Sequence, residues 1–386
     1  MKITKIETFL TNSGLRNYLF LRLTTDTGLT GIGEASLEWQ EKTVETLIHE
    51  WVVDRVLGAD PFSIEELAAN LIRDQYQGGA TVMTAISGVE VACWDLMGKA
   101  LGEPVYKLLG GRCHDSLPAY ANGWYGGART PAEYAQKAAE AARRGYAGLK
   151  FDPFGTAWQT LSSHAMDEVE ALVAAVRAAV GDRVDLMIEV HGRLDVPTAI
   201  VMGRRLEQYR PRWIEEPVTP NSLDQLKQVK QALTIPVAAG ERLYTLEDFE
   251  RLAALQAADV VQMDPAHCGG LGIARKAAAM AATQGLEVSP HCSIGPVALC
   301  AALHFDWATP NAVIQENFAE YDVPWRSEYV FGAEFSRDGE FLLPDKPGLG
   351  IELNPEACTR HPYVKNTFPS LWEDQWLKEF TKAEGH

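Results

Sequence analysis

Val184-Asp185-Leu186-Met187-Ile188-Glu189, Trp213-Ile214-Glu215 and Ile235-Pro236-Val237-Ala238-Ala239-Gly240-Glu241 are three short apolar runs, each closed by a glutamate, and the glutamates fall 26 residues apart. Runs of this kind read as β-strands. Strand, loop, helix and return loop together take about 25 residues in a (β/α)₈ barrel of roughly 250 residues. The spacing therefore sets the three carboxylates side by side at the C-terminal mouth of one barrel. Three adjacent like charges repel unless a cation sits among them. Ligands that are all oxygen favour a hard ion such as Mg²⁺.

Working outward, strand and helix alternate from Leu117 onward. Strands are expected at 117–122, 147–152, 184–190, 212–215, 237–240, 259–263, 287–290 and 312–316, with helical periodicity between them. Before them, 3–9, 18–24 and 29–35 alternate as an antiparallel meander around the Asp26-Thr27-Gly28 turn. Helical patterns follow over 41–56, 63–76 and 80–101. The expected fold is α/β: a (β/α) barrel of the TIM type with an α+β capping domain built from the N-terminal segment and the C-terminal tail. The division is 1–115 for the capping domain, 116–328 for the barrel, and 329–386 for a tail that returns to the cap.

Composition narrows the function. The net charge is −17, from 35 basic and 52 acidic residues, whereas binding nucleic-acid phosphates or an anionic membrane calls for a basic face. A small anionic substrate stays open, because a bound metal supplies local positive charge. The six cysteines are scattered with no CxxC pair, so neither a disulfide framework nor a zinc ribbon is expected. No signal peptide and no apolar run of membrane-spanning length is read, which makes the cytoplasm the expected compartment.

Polar residues at the strand ends carry the chemistry. They are Lys150 and Asp152, Glu189 and His191, Glu215, Glu241, Asp264, His291 and Glu316, with steps of 26, 26, 23, 27 and 25 from Glu189 onward. Barrel enzymes assemble their sites from several strand ends. Singly, each residue has an ordinary alternative. The histidines could be satisfied core groups, Asp264 a cap for a helix starting near Leu271, and Lys150 an ion-pair partner of Glu189. Gly269-Gly270-Leu271-Gly272 hints at a phosphate loop but reads better as a tight turn. Trp39 either reaches over the mouth or stays on the surface.

The motifs Ile214-Glu215-Glu216-Pro217, Ala239-Gly240-Glu241-Arg242, Ser289-Pro290-His291-Cys292 and Lys346-Pro347-Gly348-Leu349-Gly350 resemble the enolase superfamily, mandelate racemase subgroup. Glu189-Val190-His191-Gly192-Arg193 is similar to its sugar-acid dehydratases, especially the D-galactonate dehydratase type. The resemblance implies metal ligands at Glu189, Glu215 and Glu241, a base dyad of His291 with Asp264, and a general acid at His191. It also implies that Glu316 hydrogen-bonds the substrate carboxylate. Lys150 would contact that carboxylate, Asp152 would accept from sugar hydroxyls, and Trp39 would cover the mouth.

Two departures stand out. The first ligand is usually Asp and here is Glu189. The second strand of the racemases ends Lys-x-Lys, and here Lys150-Phe151-Asp152 keeps only the first lysine. The chemistry is coherent on physical grounds: a proton beside a carboxylate is weakly acidic because its removal makes a dianionic enediolate, which a neighbouring Mg²⁺ would stabilise. The expected activity is Mg²⁺-dependent dehydration of a 2R aldonate to a 2-keto-3-deoxy acid. The alternatives are an epimerase, racemase or cycloisomerase on the same scaffold, or a non-catalytic sugar-acid-binding protein. The partner is a small-molecule sugar acid, with neither nucleic acid nor membrane, and the resemblance implies a homo-oligomer. Substrate choice is assigned to capping-domain loops 11–17 and 36–41.

Overall fold

The structure is a computed structural model that describes residues 1–365 other than Asp322 and Ala333, together with Phe368, Leu371 and Trp372. The expected tail beyond Trp372 therefore lies outside the described residues. The chain opens with an antiparallel sheet of β1 (Ile3–Asn12), β2 (Asn17–Thr25) and β3 (Thr30–Glu34), in that order. The helical stretch over 41–56 is continuous but relaxes into a π-turn at Ile48–Val52. Helices Ile64–Asp74 and Ala80–Leu101 complete the layer.

The Ala80–Leu101 helix lies against β3 at very short range. A Cβ on Gly33 would come within 1.9 Å of the Gly88 carbonyl oxygen, so no larger residue fits that crossing. Asp95 fixes the contact by accepting from Ile32 N at 2.9 Å and from Leu349 N of the tail at 2.8 Å. Against the expectation of no apolar run of membrane-spanning length, this 22-residue helix meets that length and hydropathy. Most of it is buried between sheet and barrel, as a core helix is.

Eight parallel strands then form the barrel: β4 (Leu117–Ala121), β5 (Gly148–Phe151), β6 (Asp185–Glu189), β7 (Trp213–Glu215), β8 (Val237–Ala239), β9 (Val260–Val261), β10 (Glu287–Val288) and β11 (Gln315–Asn317). Neighbours pair in sequence from β4 to β10, and β11 pairs with β4. Between β10 and β11 the ring is completed by one bridge, Val288 to Ala312, and by Ser289 Oγ donating to the Ile314 carbonyl at 2.8 Å. The observed strands are shorter than expected, at both ends, and several of the polar strand-end residues lie just beyond the last paired residue.

Strand alternation explains the barrel interior. Tyr120, Met187, Trp213, Ala238, Val260 and Ile314 form one buried inner layer. Two residues further along β6, β7 and β11 stand Glu189, Glu215 and Glu316. A period of two puts both layers on the inward face, apolar below and anionic above. Trp213 joins them, its indole N–H donating to Glu215 Oε2 at 3.0 Å.

Candidate active site

Glu189, Glu215 and Glu241 present carboxylate oxygens that all lie within 4.8 Å of one another. The first two follow alternation; Glu241 does not. In the phase set by Ala238, position 240 faces inward and 241 outward. Gly240 reverses this with φ +144°, packed so tightly that a Cβ would lie 2.8 Å from Gln262 N. That glycine swings Glu241 into the cavity, which makes it part of the site.

The cluster fits a divalent cation. Glu189 Oε2 is buried with no hydrogen-bond partner among the described residues. Burial pushes Glu189 up to about 7, opposed by Lys150 and reinforced by Glu241. Burial and the Glu189 charge push Glu215 up to about 8 against the pull of Lys150. Burial and mutual repulsion thus outweigh the one ammonium of Lys150, and an all-oxygen donor set suits a hard dication. The longer Glu189 side chain bends back, so that Oε1 accepts from His191 N at 2.6 Å and Oε2 is left toward the cluster. A second group, Asp264, His267 and His291, also brings donor atoms together. Its atoms are engaged with one another and with the backbone, which reads as a hydrogen-bonded chain rather than an open ligand set.

Lys150 sits under the cluster. Its Nζ is 2.8 Å from Glu215, 3.0 Å from Glu316 and 3.5 Å from Glu189. It is thus a partner of Glu189, as the ordinary alternative held, and of two more carboxylates besides. Glu316 is fully buried and accepts from Asn122 Nδ2 at 2.7 Å and Cys292 N at 2.9 Å. Although burial opposes it, Lys150 and His291 bring Glu316 down to about 2.

The two histidines line one cavity of about 240 Å³ with Glu189, Glu241 and Lys150. His291 Nδ1 is 2.7 Å from Asp264 Oδ2, which leaves Nε2 toward the cavity, 3.5 Å from Glu241. Burial lowers the His291 pKa, but Glu241, Asp264 and Glu316 outweigh it and hold it well above the ordinary value. Asp264 does not cap the helix near Leu271; Gly270 occupies that position. His191 lies beyond β6 in a left-handed turn at φ 53°. It lines the cavity from this turn, outside the strand itself. Its Nδ1 is 2.7 Å from Asp152 Oδ2.

Asp152 is buried, and its oxygens accept from His191, from Arg193 and from Phe154 N at 2.9 Å. Its carboxylate thus faces His191 and Arg193 in this structure. Trp39 does line the cavity. It is more than half exposed, and its indole N–H donates to the Phe368 carbonyl at 3.1 Å. The glycine turn is no phosphate loop, because the Glu90 carboxylate already accepts from Leu271 N and Gly272 N, each at 2.9 Å. Sequence reading missed His267, which links Asp264 to the Ser36 carbonyl of the capping segment. His267 stands three residues after Asp264, a one-turn spacing that could have flagged it. Arg16 and Glu38, which wall the cavity, fall in the 11–17 and 36–41 loops expected to set substrate choice, although neither residue was singled out.

These features define a class. Residues 133–357 match the family model described as enolase C-terminal domain-like, and residues 3–110 match the mandelate racemase / muconate lactonizing enzyme N-terminal domain. The chain belongs to the enolase superfamily, in its mandelate racemase subgroup. Among named relatives, the D-galactonate dehydratase of Pectobacterium atrosepticum is 37% identical over 362 residues, covering 92% of this chain and 93% of that protein. The D-galactonate dehydratase of Variovorax paradoxus is 38% identical over 372 residues, covering 94% and 95%. A solved mandelate racemase/muconate lactonizing enzyme from Jannaschia sp. CCS1 superposes with a TM-score of 0.88 at 32% identity, covering 95% of this chain and 99% of that one.

Proposed function

We propose that the chain is a hydro-lyase that dehydrates a 2R sugar acid, with D-galactonate the leading candidate, to a 2-keto-3-deoxy acid. The observation that carries this is two histidines, each oriented at Nδ1 by a buried aspartate, lining one cavity beside a three-carboxylate cluster. The relatives named D-galactonate dehydratase support the dehydratase class. Glu189, Glu215 and Glu241 would hold Mg²⁺, which when bound supplies positive charge for the substrate carboxylate.

The protein's own groups do the rest. His291 Nε2 removes the C2 proton while Asp264 orients the ring and offsets the imidazolium charge. The C2–H electron pair enters the enediolate. As that collapses to a C2=C3 double bond, the C3–O bond breaks. His191 donates its proton, and the hydroxyl leaves as water. The enol then tautomerises to the ketone. Lys150 is held among three carboxylates and Asp152 is occupied by His191 and Arg193, so neither second-strand group is free to act as a second base. This favours elimination over two-base racemisation.

The division into a capping domain of 1–115 with 329–386 and a barrel of 116–328 belongs to the same reading. Support comes from the tail, where Val364 N donates to Asn17 Oδ1 at 3.1 Å and Pro362 bridges Thr11. The test of function is turnover of matched 2R and 2S aldonates with Mg²⁺. Turnover of the 2R set is expected, and turnover of only the 2S set would reverse the assignment of the base.

A further inference from the structure

The capping wall of the cavity contains a charged pair that the mechanism does not use. Arg16 follows β1, and its side chain is only 2% exposed. Phe318 and Phe368 lie on its guanidinium, each 4.7 Å from ring centroid to Cζ. Its Nη1 donates to the Ser293 carbonyl, two residues past His291, and pairs with Glu38 Oε1 at 3.1 Å. Nε is buried with no hydrogen-bond partner among the described residues. Both Arg16 and Glu38 line the same cavity as the two histidines.

Aromatic rings on the guanidinium fix its plane and restrict a ligand to its edge. Glu38 cancels its charge at hydrogen-bonding distance. The pair thus offers donors and an acceptor but no net charge. An alcohol hydroxyl both donates and accepts, so it can bond to the two partners together. A carboxylate only accepts, and it would have to approach the Glu38 charge or displace it from Arg16.

We infer that Arg16 and Glu38 form a neutral receptor for the hydroxyl-bearing far end of the substrate, and that this pair selects monocarboxylic aldonates against the corresponding dicarboxylic acids. The inference rests on the proposed sugar-acid substrate. It adds which residues read the end remote from the reacting carbons.

The experiment compares D-galactonate with its diacid, galactarate, on the Mg²⁺-loaded full chain, by kcat and KM and by calorimetric binding. The parent should prefer the monoacid by about 100-fold in kcat/KM, the scale on which a mismatched buried polar contact discriminates. Glu38→Gln, nearly isosteric, frees the Arg16 charge and should shrink that ratio about tenfold or more. Arg16→Gln should raise KM for galactonate about tenfold while lowering kcat by less. Arg16→Lys keeps the charge but loses the planar edge, and should recover only part of the affinity. Equal or better use of galactarate by the parent overturns the inference while leaving the dehydratase reading intact. So does an unchanged ratio in Glu38→Gln at unchanged melting temperature. If neither acid is dehydrated, binding decides: a monoacid preference abolished by Glu38→Gln supports the pair, and equal binding or none overturns it.

Discussion

At the scale of single residues, the site rests on side chains with one geometrical assignment each. Glu215→Gln replaces an anionic oxygen ligand by a neutral one. It should lower cation affinity and activity together, affinity by about tenfold or more in titration calorimetry. Glu216→Gln is the contrast. Glu216 is fully buried, and its carboxylate is paired with Arg242 at 2.5 Å. That substitution should leave cation binding in place while costing roughly 1–3 kcal/mol in urea unfolding. The histidines separate in time. His291→Asn should abolish both C2 exchange and product, each by at least about 100-fold. His191→Asn should impair product formation more than exchange, because it acts after the proton has left. Equal losses in the His191 variant would leave separate roles unsupported. Asp264→Asn should slow the reaction with the fold retained, as judged by circular dichroism.

At the scale of elements, the strands were legible because apolar runs ended on carboxylates at barrel spacing. Glu189 and Glu215 could be placed by alternation alone. Spacing brings Glu241 to the mouth, but its inward turn depends on Gly240 packing against Gln262, which no local pattern announces. His191 was likewise placed by a left-handed turn instead of a strand. The pairing of Asp152 with Arg193, 41 residues later, is announced by no local pattern. Arg16 and Glu38 become neighbours only when two capping loops meet over the barrel.

Elements also meet across the domains at Glu90. This group on the Ala80–Leu101 helix caps the Leu271–Thr283 helix through Leu271 N and Gly272 N. Burial raises Glu90 to about 7, above its unfolded value of 4.5. The folded form therefore holds its proton more tightly, and the stability it contributes is full below pH 4.5 and lost as pH rises through 7. Glu90→Gln should flatten that part of the stability profile, by up to roughly 3 kcal/mol between pH 5 and 8. An unaltered profile in denaturant melts would show that Glu90 does not titrate there.

At the scale of the whole molecule, cap, barrel and tail each supply part of one cavity. The cap contributes Arg16, Glu38 and Trp39, the barrel contributes Glu189, Glu241 and the two histidines, and the tail contributes Phe368 and Leu371. The acidic net charge of −17 does not oppose an anionic substrate, because the cation site and Lys150 set the local potential. Removing the cation should stop turnover, and restoring Mg²⁺ should recover it; full activity after exhaustive chelation would exclude a metal-dependent site.

The central claim is that proton removal at C2 by His291 leads to loss of the C3 hydroxyl. Proton NMR of D-galactonate in D₂O, with the full chain and Mg²⁺, tests it in one sample. The expected result is loss of the C2 proton signal in step with growth of a 2-keto-3-deoxy acid that carries deuterium at C3. Loss of the C2 proton with the C3 hydroxyl retained would make the chain an epimerase, and an unchanged spectrum across matched 2R and 2S aldonates would contradict the account altogether.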